Sequence, residues 1–124
     1  MNLVKHMKKF MIPALLALAL MPGLLSADNT EANEKFARGL ELFKAGDFEG
    51  AAGKFKDAQI LADDQLLKCR ALQEAQKAYK AAGLRYKEFE ILERLIKGYP
   101  THIDFAESVE REYIIGNEYF QGYR

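Results

Sequence analysis

The chain has 124 residues, with 18 basic and 18 acidic side chains, one cysteine and no tryptophan. That length holds one small domain, and the balanced charge gives no nucleic-acid footprint. A single Cys69 excludes an internal disulfide.

Lys5, Lys8 and Lys9 precede the apolar run Phe10–Met21, Pro22 and Gly23 break it, and Leu25-Ser26-Ala27 follows; no acidic residue occurs before Asp28. This is the profile of a secretory signal peptide over residues 1–27, cut after Ala27, with an uncleaved anchor as the alternative. The run is shorter than the roughly 20 residues of a membrane span. No cysteine near the cut could carry a lipid. Removing the segment takes three basic and no acidic residues, so residues 28–124 carry a formal charge of −3. The expected location is the periplasm or the exterior, with outer-membrane association through a partner and not through a lipid.

Residues 28–124 read as helices throughout. Asp28–Glu31 supplies capping residues. A first helix over 32–45 places Ala32, Phe36, Leu40 and Phe43 inward, with Ala37 and Leu42 beside them. Gly46 stops it and Asp47 caps the second, which buries Phe48, Ala51, Ala52, Phe55, Ala58 and Ile60. Ala62-Asp63-Asp64 separates it from a third helix over 65–82, whose stripe is Leu72, Ala75 and Tyr79 with Ala71 and Ala78. Gly83 closes that helix. A fourth over 86–97 turns Phe89, Leu92, Leu95 and Ile96 inward and ends at Gly98-Tyr99-Pro100. Thr101-His-Ile-Asp104 resembles a capping box, leading into a fifth helix over 103–121. No alternating strand pattern exceeds four residues.

The helices pair, and Leu42, Tyr79 and Tyr119 stand at similar late positions, 37 and 40 residues apart, which suggests an internal repeat. Gly39, Leu42, Gly46, Phe48, Ala51, Phe55 and Ala58 in the first unit fall where tetratricopeptide repeats carry their small and aromatic residues. Tyr79, Gly83, Tyr86 and Pro100 match more loosely in a second unit, and Ile115-Gly116 and Tyr119 in half of a third. Arg38, Asp63 and Phe89 depart from the pattern. The chain therefore resembles a tetratricopeptide-repeat protein over residues 32–121. The run Leu95–Asp104 with Tyr113 is also similar to the repeat-built lipoproteins of outer-membrane β-barrel assembly, although the lipidated cysteine is missing.

The resemblance implies an all-α domain of stacked helical hairpins, a short right-handed solenoid of two and a half repeats, either truncated or paired through its last helix as a homodimer. It implies a concave groove carried by Asn33, Phe36, Leu40, Phe43 and Lys44, by Arg70, Gln73, Lys77 and Lys80, and by Tyr113, Asn117 and Phe120. The steps of three and four in the second set form one stripe of three cations. The expected ligand is a peptide bearing a carboxylate, with Phe36, Phe43 and Phe120 as apolar anchors; the competing reading is a solvated helix face. The expected function is a periplasmic adaptor binding a peptide or protein in cell-envelope assembly. The alternative is a structural subunit of an outer-membrane protein assembly complex.

No catalytic, metal or cofactor site is expected. Cys69 and His102 form no metal set of familiar spacing. Gly46 and Gly50 lack the Lys-Ser/Thr of a phosphate loop. Glu88, Glu90, Glu93, Glu107, Glu110 and Glu112 read as solvated helix faces.

Overall fold

The computed structural model describes residues 27–122, and the expected signal peptide falls almost wholly outside them. Within these residues the protein is all-α, with five helices and no strand: α1 (Ala27–Lys44), α2 (Phe48–Leu61), α3 (Gln65–Ala82), α4 (Arg85–Gly98) and α5 (Phe105–Phe120). Local chemistry sets most of the boundaries. The carboxylates of Asp47, Asp64 and Asp104 accept hydrogen bonds from the amides of Gly50, Leu66 and Glu107, satisfying donors that a helix start leaves unpaired. The box expected at Thr101 is thus replaced by Asp104 acting as the cap itself.

Gly46 and Gly83 end α1 and α3 in the same way. Both are left-handed, with φ of 88° and 75°. The next amide in each case reaches back to Leu42 O or Tyr79 O, while the glycine amide reaches Phe43 O or Lys80 O. This double closure reverses the chain in two or three residues. Gly122 (φ 89°) donates to Tyr119 O after α5. Counting back from the glycine puts Glu118, not Tyr119, in the position of Leu42 and Tyr79. Helix lengths also alternate, 18 and 14 residues for α1 and α2, then 18 and 14 for α3 and α4.

Each helix packs on its neighbour in sequence. Short turns fold α2 back on α1, α3 on α2 and α4 on α3. Asn29 is buried at the head of α1, and its Oδ1 accepts from the amide of Asp63 in the α2–α3 turn at 2.9 Å. Lys87 at the start of α4 pairs with Glu49 at the start of α2 at 3.0 Å, so these two starts lie side by side.

The core is made of Ala51, Ala52 and Phe55 of α2, Cys69, Leu72, Ala75, Ala78 and Tyr79 of α3, and Ile91 and Leu95 of α4. Alanines let the helix axes approach, and the larger rings fill the remaining space. Phe55 is fully buried and meets Phe36 edge-on, with centroids 5.3 Å apart. Gly39 makes room for it: a Cβ there would stand 2.6–2.9 Å from three Phe55 ring atoms. Tyr79 sits beneath Lys56 and Lys87, each 5.8 Å from its ring centre.

Three expected core positions are otherwise. Leu40 and Ile60 are exposed, because buried Gly39 and Ala58 take the inward places on those turns. Ala37 is exposed as well.

Candidate functional site

A cleft of about 400 Å³ opens between α3 and α5, within the range of ligand sites. Gln76, Lys77 and Lys80 of α3 form one wall. Glu107, Ser108, Glu110, Arg111 and Ile114 of α5 form the other, and Leu92 of α4 also lines it. Buried Leu92 and half-exposed Ile114 provide apolar contact area between the two polar walls.

The walls are held apart and in register by one buried carboxylate. Glu88 of α4 is fully buried. Arg111 grips it in a bidentate pair, Nε to Oε2 at 2.8 Å and Nη2 to Oε1 at 2.9 Å, and Gln76 Nε2 donates to Oε2 at 2.7 Å. One side chain from each of α3, α4 and α5 therefore meets at this point. The carboxylate holds the Arg111 guanidinium above its ordinary pKa. Such a fork-to-fork pair is both strong and directional. The reading of Glu88 as a solvated residue is corrected. It heads the stripe Glu88, Ile91, Leu92 and Leu95, and that i, i+3, i+4, i+7 spacing was its signal.

A second acidic contact lies on the α4–α5 seam. Glu112 stands beside Glu93, which receives Lys97 Nζ at 2.9 Å. One Glu112 oxygen is buried with no partner among the described residues. Burial, first, and then the neighbouring Glu93 push the Glu112 carboxyl up to about 7. The hydrogen bond from Glu112 and that from Lys97 push Glu93 down. Glu112 is a further correction to the solvated reading.

The expected groove residues divide four ways. Lys77 and Lys80 line the cleft, Lys77 with Nζ 3.2 Å from Glu74. Arg70 and Gln73 continue their stripe toward α1, where the Arg70 guanidinium lies 5.6 Å from the Phe36 ring. On α1, Asn33 is half-buried and Leu40 and Lys44 are exposed. Phe36 is half-buried against Phe55, and half-buried Phe43 meets Phe48 with centroids 5.0 Å apart. Both rings are spent on internal packing. Tyr113, Asn117 and Phe120 are exposed on α5 and do not line the cleft.

The cationic stripe of α3 faces Glu107 and Glu110 across the cleft, so the cleft carries opposed charges and not one sign. Sequence reasoning missed this wall, since nothing local shows which face of α5 turns to α3.

His102 is exposed in the α4–α5 turn, and Cys69 is buried in α3 with its thiol pKa raised by burial. Among the described residues no three His, Cys, Asp or Glu side chains gather as a metal site would, and no helix is long and apolar enough to cross a membrane. No protein-family model, no curated protein and no solved structure matches this chain.

Proposed function

We propose that this is an exported, tetratricopeptide-like adaptor that holds a peptide or protein segment in the α3–α5 cleft, in the service of cell-envelope assembly. The observation that carries the reading is the cleft itself: two charged walls, an apolar Leu92–Ile114 contact, and a buried Glu88–Arg111–Gln76 clamp that fixes their spacing. Preorganised walls lower the ordering cost of binding. An acidic group on the ligand meets Lys77 and Lys80, and a basic group meets Glu107 and Glu110. The repeated 18- and 14-residue helices and the twin glycine closures support a hairpin repeat stacked as a short solenoid. The export reading rests on the Lys5–Lys9 cluster and the run Phe10–Met21.

The test is capture from envelope extract by wild type and by the variant Lys77→Glu/Lys80→Glu. The variant should retain its helicity and capture at least about tenfold less partner, and short peptides should compete with wild-type capture. Unchanged capture by the variant contradicts the cleft. Capture that peptides never displace places the contact on the flat surfaces, as in the alternative of a structural assembly subunit.

A further inference from the structure

We infer that α5 is also a self-association surface, through which two copies of the chain pair antiparallel. At 3.6 residues per turn, Phe105, Val109, Tyr113, Gly116 and Phe120 fall on one arc of about 80° running the length of the helix. All five are exposed, with Phe105, Val109, Tyr113 and Phe120 at 48%, 40%, 72% and 89%. This arc points away from the cleft, whose α5 residues Glu107, Glu110 and Ile114 lie on the other side. An apolar face this continuous marks an interface.

Three observations select a second copy as the occupant. The first is Gly116. It stands mid-helix at a cost in helix propensity, yet a Cβ there would meet nothing within 4 Å. No packing among the described residues requires it. Its missing side chain leaves a gap in the arc between positions 113 and 120, which a side chain from outside can enter.

The second is charge. The residues flanking the arc are Ala106 and Asn117 on one side and Tyr119 and Glu112 on the other. The Glu112 carboxyl lies on the α4 seam, with one oxygen buried there. The face therefore carries no free charge to repel its own copy. The rest of α5 carries Glu107, Glu110 and Glu118 against Arg111, which opposes docking on an anionic lipid surface.

The third is register and area. In an antiparallel pair with full overlap, Phe105 opposes Phe120 of the second copy, Val109 enters the Gly116 hole, and the two Tyr113 rings meet at the two-fold axis. An isologous contact of this kind closes at two subunits. The exposed portions of these side chains amount to about 500 Å² per copy. The pair buries on the order of 1,000 Å², at the lower bound for a specific interface, so the dimer is one of modest affinity. Pairing leaves both clefts open and presents two to a bivalent partner.

The test is sedimentation equilibrium of the protein as the cell accumulates it, from about 1 to about 300 µM. Wild type should double in mass across this range. Gly116→Gln, which fills the hole while favouring the helix, should weaken pairing at least tenfold with an unchanged circular dichroism spectrum, and Gly116→Ala should weaken it less. Oxidised Tyr113→Cys should yield a covalent dimer, which buried Cys69 does not form in wild type. Monomer mass at about 300 µM overturns the inference, as does pairing indifferent to Gly116→Gln. Retention of a strictly monomeric protein on vesicles of 3:1 phosphatidylcholine and phosphatidylglycerol also overturns it.

Discussion

Two residues carry tight packing, Glu88 at the cleft and Gly39 against the Phe55 ring between α1 and α2. Glu88 is sealed in the interior, and its charge is tolerable only because Arg111 and Gln76 meet it. Arg111→Met would strand a buried carboxylate. We expect it to lower unfolding free energy by about 3 kcal/mol, and the double variant Glu88→Met/Arg111→Met to recover most of that loss. Urea unfolding of both variants reads the difference. Gly39 is the other. Its missing Cβ is the space that the Phe55 ring occupies, so Gly39→Ala should cost about 1–3 kcal/mol through overpacking. A midpoint unchanged in that variant would mean the ring can move aside.

The element most open to regulation is α5. It packs on α4 alone to any extent among the described helices, and the Glu93–Glu112 contact sits on that seam. Between pH about 4.5 and about 7, folded Glu112 keeps a proton that the unfolded chain has released. Stability from this group is therefore full in mild acid and falls as pH rises through that window. The lowered Glu93 works the other way, adding stability above its unfolded pKa and losing it as pH falls. The Glu93 window lies below about pH 4.5, so Glu112 alone acts between about pH 5 and about pH 8; screened by solvent at its part-exposed site, its net loss there should be on the order of 1 kcal/mol. Glu112→Gln should flatten it. Urea midpoints at the two pH values measure the change, and an equal slope in the variant would remove Glu112 as its source.

At the scale of the whole molecule, periodicity and caps made the helices legible. The bounds of α3 stand where they were expected, because Asp64 and Gly83 delimit them chemically. The α2 and α3 cores were legible too, since Ala51, Ala52, Phe55, Leu72, Ala75 and Tyr79 follow helical spacing. What the sequence could not reveal was contact between helices. Glu88 and Glu112 looked like surface residues because their partners lie on other helices. Lys77 and Lys80 are exposed and line the cleft, but the acidic wall opposite depends on the rotation of α5. Tyr113 and Phe120 were expected beside those lysines and stand on the far side of α5.

Peptide binding in the α3–α5 cleft is tested by an array of mixed-charge sequences probed with the protein and with Lys77→Glu/Lys80→Glu. Peptides bearing acidic and basic groups around an apolar residue should retain the protein, and the variant should lose those spots while remaining folded. An array that retains neither form, or both equally, would contradict it.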